Sequence, residues 1–224
     1  MQSSRRLVPV FVTALVLAGV ALSAQPPPQP PAVPNGRVSD AQAAALGRMA
    51  SEARERMGSP GLAVAIARGP QVVWAAGFGL ADVENQVPVT GDSVFRIASI
   101  SKPMAAVAVM QLVERGRVSL DDPIQKYVPD YPQKGEQTVT VRHLLTHQSG
   151  IRHYRPGEME SREPYATLAA AIGIFKNDPL LFVPGTRYLY STYGYNLLAG
   201  VVERASGLSF GEYLRTRIWS PAGM

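Results

Sequence analysis

Between Met104 and Val113 the chain has a single non-apolar residue, Gln111. Glu114-Arg115-Gly116 then closes the run with a cation and a glycine suited to a helix C-terminus. The stretch therefore reads as a helix, and a helix that is apolar all round has to be buried. Whatever the chain folds into must be built around it. The composition allows this: 224 residues, 46% hydrophobic and 17% charged, suffice for one good core or for two lobes.

Immediately before that helix stands Ser99-Ile100-Ser101-Lys102. A serine three residues ahead of a lysine on a helix shares a face with it. A serine hydroxyl is a weak nucleophile and needs a base to take its proton. A lysine serves when burial or neighbouring cations lower its pKa. The start of a helix also offers peptide N–H groups and a positive dipole end to developing negative charge. Ser101 has the lysine adjacent rather than one turn away, so Ser99 is the better placed of the two serines. Taken alone, this spacing occurs by chance in many chains.

The elements around it can be read from local signals. Ser39 with Gln42 is a capping box, and Leu46, Met49, Ala53 and Met57 then fall on one helix face that ends at Gly58-Ser59-Pro60. Leu62 to Ala67 and Val72 to Phe78 read as two strands joined through Gly69-Pro70. A third short stretch, Ser93 to Ile97, leads into Ser99, and the hairpin is expected to have no further strands after it. Helices are expected over Val141 to His147, from Pro164 to Phe175, over Gly194 to Ala205 with Ser206-Gly207 as its end, and from a Ser209 cap to about Ile218.

The first residues resemble a secretory signal. Arg5 and Arg6 precede an apolar stretch from Leu7 to Leu22, and Ala21, Ser23 and Ala24 offer small residues for cleavage. Residues 1–24 are thus expected to be a signal peptide, with an uncleaved membrane anchor as the alternative. Residues 25–38, with the run QPPPQPPAVP, read as an extended Pro-rich linker, and residues 39–224 as the folded domain. The expected location is secreted or periplasmic.

Several function classes lose support. Cysteine is absent, so thiol chemistry and disulfides are excluded. The formal charge of +5 is not concentrated in a basic run with interleaved aromatics, so nucleic-acid binding is not indicated. His143 and His147 lie four apart, but no Glu sits between them in the manner of H-E-x-x-H and no third ligand is evident. A packing or loop-fixing role is the simpler one for them. Asp121-Asp122 precedes Pro123 and reads as a turn, not an acid/base pair. No metal or organic cofactor is implied.

The segment Phe95-Arg96-Ile97-Ala98-Ser99-Ile100-Ser101-Lys102-Pro103 resembles the active-site segment of the serine β-lactamase family, in its class C-like branch. That branch also holds penicillin-binding DD-peptidases, esterases and a mitochondrial β-lactamase-like protein. The resemblance continues through Leu120-Asp121-Asp122-Pro123, Arg142 to Ile151, Pro184-Gly185-Thr186 and Tyr190 to Leu198. It covers roughly residues 40–224 in the family's order, which is far more specific than any single motif.

The resemblance implies an α/β (α+β) fold of the β-lactamase/transpeptidase type, an antiparallel sheet lobe and a helical lobe with the active site between them. It implies a serine hydrolase that forms an acyl-enzyme on amide, peptide or ester carbonyls. By position, Ser99 matches the acylated serine, Lys102 the lysine that helps deprotonate it, and Tyr190 the tyrosine of the Tyr-x-Asn motif. The proton path between Lys102 and Tyr190 stays open at this level.

Two departures follow. Thr192 stands where the family has asparagine, keeping a hydroxyl but losing an amide that both donates and accepts. Thr192 is thus expected to be a weaker substrate contact, which weighs against penicillin hydrolysis and toward a peptidase or esterase. The third motif, Lys-Thr-Gly or His-x-Gly, is not in the sequence, and the ending Trp219-Ser220-Pro221-Ala222-Gly223-Met224 resembles the family's midpoint. The expectation is a domain whose C-terminal strands lie beyond residue 224 and which is inactive and poorly stable alone. The rival reading is a non-catalytic binder or filament-forming scaffold with the same fold. The substrate class expected is a small molecule, peptide or ester, with membrane contact only through an uncleaved signal. The oligomeric state is not indicated.

Overall fold

The computed structural model describes residues 38–224. The expected signal segment and all but the last residue of the Pro-rich linker lie outside the described residues. The chain divides into two compact units, one ending at Phe95 and the other running from Arg96 to Met224.

The first unit is a helix followed by a small antiparallel sheet. Helix α1, Asp40–Arg56, starts from the expected capping box: Ser39 Oγ accepts from the Gln42 N–H, and the Gln42 side chain accepts from the Ser39 N–H. Strands β1, Gly61–Arg68, and β2, Gln71–Asp82, pair from Gly61↔Gly79 to Arg68↔Gln71, with a register shift at Ile66/Ala67. The sheet has a third strand that the sequence reading did not anticipate. It is β3, Val87–Pro88, which pairs with Leu80 and Asp82 of β2. Ser93 to Ile97 forms no strand. Gly77 is required where the chain after β3 crosses β2, since a Cβ there would lie 2.5 Å from the Val89 carbonyl oxygen. Val73, Trp74 and Val89 are buried in this unit.

The second unit is helical and is organised around one central helix. In order it contains α2 (Ser101–Glu114), α3 (Val141–Leu145), α4 (Leu168–Gly173), α5 (Thr192–Ser206) and α6 (Phe210–Leu214). A π-helical turn, Arg215–Trp219, extends α6. Helix α5 packs against α2, α3, α4 and α6. Its Leu197, Leu198, Val201 and Val202 are completely buried. It starts at Thr192, before the expected Gly194, because the Ser191 hydroxyl accepts from the Gly194 N–H, and Gly207 closes the helix with φ +77°.

Helix α2 departs from the expectation of burial all round. Ala105, Ala108, Val109 and Leu112 enter the core, but Val107 and Met110 are 47% and 41% exposed. Its closure is as expected: Gly116, at φ +66°, donates to Val113, and Arg117 donates to Leu112. Helix α4 starts at Leu168 rather than Pro164, because the Thr167 hydroxyl accepts from the Ala170 N–H and sets the boundary. Among the described residues no helix is long and apolar enough to cross a membrane.

Candidate active site

All the residues singled out for chemistry lie within the second unit. Ser99 sits on a short 3₁₀ turn, Ala98–Ile100, that runs directly into α2. Ala98, just before it, has φ +43°. A left-handed conformation costs a non-glycine residue about 1–2 kcal/mol, so the surroundings must enforce it. The Ser101 hydroxyl donates to the Ala98 carbonyl at 2.7 Å and holds the turn. Ser101 is thereby turned back on its own backbone, while Ser99 is exposed.

One turn on, Lys102 is 8% exposed. Its Nζ donates to Ser99 Oγ at 3.1 Å and to Thr192 Oγ1 at 3.2 Å. From a segment 91 residues away, the Tyr190 hydroxyl lies 2.7 Å from Ser99 Oγ. The Lys102 ammonium also stands 4.7 Å from the centre of the Tyr190 ring and 5.8 Å from that of Tyr195. The structure thus brings Ser99, Lys102, Tyr190 and Thr192 into one hydrogen-bonded cluster.

The electrostatics of Tyr190 are a contest. Burial by itself would push the phenol up, but the Lys102 ammonium and the bond to Ser99 outweigh it and hold the phenol below its usual value. A phenolate at this position is therefore more accessible than in water, and it lies in line to accept the proton of Ser99.

The segment carrying Tyr190 is held from behind. Ser191, buried, caps α5 and donates its hydroxyl to the Arg152 carbonyl at 2.8 Å. The Arg152 guanidinium is a clasp: it grips both Glu158 carboxylate oxygens at 2.7 and 3.0 Å and Asp178 at 2.6 Å. Tyr193 of α5 adds a 2.8 Å bond to the same Glu158. The bonds from Arg152, followed by those from the Arg155 peptide N–H and Tyr193, hold Glu158 down to about 2 despite burial.

The neighbouring Arg155 pairs with Asp178 at 3.1 Å.

Three histidines are present, and each has a defined place. His143 Nδ1 accepts from the Thr140 N–H and completes a capping box at the start of α3. His147 and His153 lie beside Tyr190. The His147 Nδ1 accepts from the Ser191 N–H at 3.1 Å, and its ring centre is 4.6 Å from that of Tyr190. The His153 Nδ1 accepts from the Thr192 N–H at 3.3 Å, and its ring meets Tyr190 edge-on at 5.4 Å. His147 fits the packing or loop-fixing role expected of it, whereas no signal in the sequence singles out His153 and Arg152. The positional signal is weak, because the partners of the two histidines and of the Arg152 carbonyl are 39 to 44 residues away along the chain. Asp121 and Asp122 are structural, as their turn-like sequence suggests. Asp121 pairs with Arg142, and Asp122 accepts from the Ser119 N–H, Lys126 and Tyr127.

The sequence that carries this cluster matches a known family over most of its length. A family model described as Beta-lactamase matches residues 47–224. The chain belongs to this family, whose fold it shares in its antiparallel sheet and its helices. It is 33% identical over 256 residues to the human serine beta-lactamase-like protein LACTB, mitochondrial, covering 84% of this chain and 47% of that protein. Esterase EstB of Burkholderia gladioli is 33% identical over 181 residues, covering 73% of this chain and 45% of the esterase. Among solved structures, the octameric penicillin-binding protein homologue from Pyrococcus abyssi superposes with a TM-score of 0.70 at 34% identity, covering 83% of this chain and 44% of that one. The chain thus spans about half the length of the relatives it matches.

Proposed function

We propose that this chain carries the nucleophile and base of a serine hydrolase that works through an acyl-enzyme. The observation that supports this reading most is the convergence of Lys102 Nζ and the Tyr190 hydroxyl on Ser99 Oγ, at 3.1 and 2.7 Å. Ser99 Oγ attacks a substrate carbonyl carbon and forms the new C–O bond. Its proton passes to the Tyr190 phenolate, which Lys102 stabilises. The same proton then leaves with the departing amine or alcohol, and water cleaves the resulting ester. Thr192, held by Lys102, contributes a hydroxyl at the edge of the substrate position.

The substrate is a small-molecule, peptide or ester carbonyl. The similarity to an esterase and to a penicillin-binding protein homologue favours these classes. The missing amide at Thr192 weighs toward ester or peptide over penicillin hydrolysis. The Arg5-Arg6 start and the apolar stretch after it support export from the cytoplasm, with residues 1–24 as signal peptide, 25–38 as linker and 39–224 as the β-lactamase-related domain.

A fluorophosphonate probe tests the reading, because it needs one acylation-like event rather than turnover. The chain is expected to take up one probe per molecule, and the Ser99→Ala chain none. Equal labelling of the two, with both folded by circular dichroism, would overturn it.

A further inference from the structure

Tyr190 is flanked by two imidazoles whose bonding leaves each a single protonation state. A peptide N–H can only donate, so the ring nitrogen facing it is unprotonated. His147 Nδ1 faces the Ser191 N–H, and His153 Nδ1 faces the Thr192 N–H. Both rings are therefore neutral, with the proton on Nε2. The two peptide groups they capture are consecutive and directly follow Tyr190. Both rings also touch the phenol itself, His147 tilted at 34° to it and His153 edge-on at 82°. His147 reaches its place through a left-handed backbone, φ +57°, pinned by the Leu189 N–H donating to its carbonyl at 2.8 Å.

We propose that His147 and His153 are positioning residues that brace Tyr190 against Ser99, and that they do so only as neutral rings. The inference rests on the reading of Tyr190 as the base. A proton taken from solvent onto Nδ1 would set two donors face to face, N–H against N–H, and release the segment that carries the phenol.

The surroundings favour the neutral state. His147 is faced by Lys102 from α2, by Tyr188 and Tyr190 from the segment before α5, by Tyr195 from α5 and by His153. His153 is faced by Tyr154, Tyr190 and Lys102, while the adjacent Arg152 guanidinium donates to the His153 carbonyl and is otherwise engaged by Glu158 and Asp178. Burial first, then the Lys102 ammonium, lowers both imidazoles from their usual value. The brace is thus engaged at neutral pH and lost on acidification.

The test uses the full chain with ¹⁵N-histidine and ¹³Cζ-tyrosine, the Tyr190 signal being assigned by its loss in Tyr190→Phe. At about pH 7.5 both rings should show the Nε2–H form, and below about pH 6.5 the Tyr190 signal should move as they titrate. Asparagine places an acceptor near the Nδ1 position but does not titrate. The His147→Asn/His153→Asn chain should therefore keep the neutral-pH Tyr190 signal and lose its acid response. Its fluorophosphonate labelling at about pH 5 should exceed that of the unaltered chain by about tenfold. His153→Phe, a ring without an acceptor, should displace the Tyr190 signal at every pH. An Nδ1–H form in either ring, a Tyr190 signal indifferent to pH, or an unchanged acid response in the double variant would overturn the proposal. If Ser99 is labelled in none of these chains, the hydrolase reading fails, while the resonance signals still decide the brace.

Discussion

The hydroxyl of Ser191 donates to the carbonyl of Arg152 at 2.8 Å, joining residues 39 apart in sequence. The same hydroxyl accepts from the Gly194 N–H and caps α5. One serine thus ties the loop beginning at Arg152 to the helix that follows Tyr190. The order of the cluster at Ser99 depends on such fixed points, since Tyr190 lies in a segment without regular structure.

The Arg152 clasp should dominate the local stability. Arg152→Met leaves the Glu158 carboxylate without its cation and Asp178 with only the exposed Arg155. With both partly hydrated, the loss should be about 2–3 kcal/mol, read by urea unfolding.

The same clasp sets an acid limit. The folded value of Glu158 is about 2 against an ordinary value of 4.5, held down chiefly by Arg152. A depressed carboxyl contributes stability that is present above its unfolded value and is lost as pH falls toward the folded one. Urea midpoints should therefore drop between about pH 5 and about pH 2, and Glu158→Gln should flatten that decline.

Removing the phenol hydroxyl should slow acylation without unfolding the chain. Tyr190→Phe keeps the ring between His147 and His153 and deletes only the oxygen at Ser99. Fluorophosphonate labelling should fall about a hundredfold, with an unchanged melting temperature.

Lys102 acts on the phenol as well as on the serine. In Lys102→Met the largest lowering influence on Tyr190 is removed, while burial, which raises the phenol, remains. The alkaline limb of labelling should move to higher pH, and the rate at neutral pH should fall by about a hundredfold.

Under the proposed function, Thr192 is the residue that sets which acyl donors are accepted. Thr192→Asn would restore an amide able to accept from Lys102 and donate to a substrate. Acylation by a fluorescent penicillin should rise by about tenfold, and that by a simple ester should change little. Equal changes for both donors would remove Thr192 from the specificity of the site.

Features written in adjacent residues were legible, and those made by distant contacts were not. The Ser39 capping box, the β1–β2 hairpin and the Gly207 closure each rest on a few consecutive side chains. β3 has two residues and exists only through its pairing with Leu80 and Asp82, so no periodicity marks it. The run from Met104 to Val113 announces burial but cannot say which side is covered. Its uniform apolarity hides the fact that Val107 and Met110 face outward. Ser99 and Lys102 have a local spacing that can be reasoned about. Tyr190 entered through the family resemblance, and its approach to Ser99 spans 91 residues. The roles of Arg152 and His153 lay in partners that their neighbours in sequence do not reveal.

Mapping a single acyl group onto the chain tests the central claim most directly. The chain would be incubated with an activated ester, quenched in acid and digested, and the modified serine located by mass spectrometry. The account predicts one acyl group, on Ser99, absent from both Ser99→Ala and Tyr190→Phe at short times. An acyl group on Ser101, or one that persists at the same level in Ser99→Ala, would contradict it.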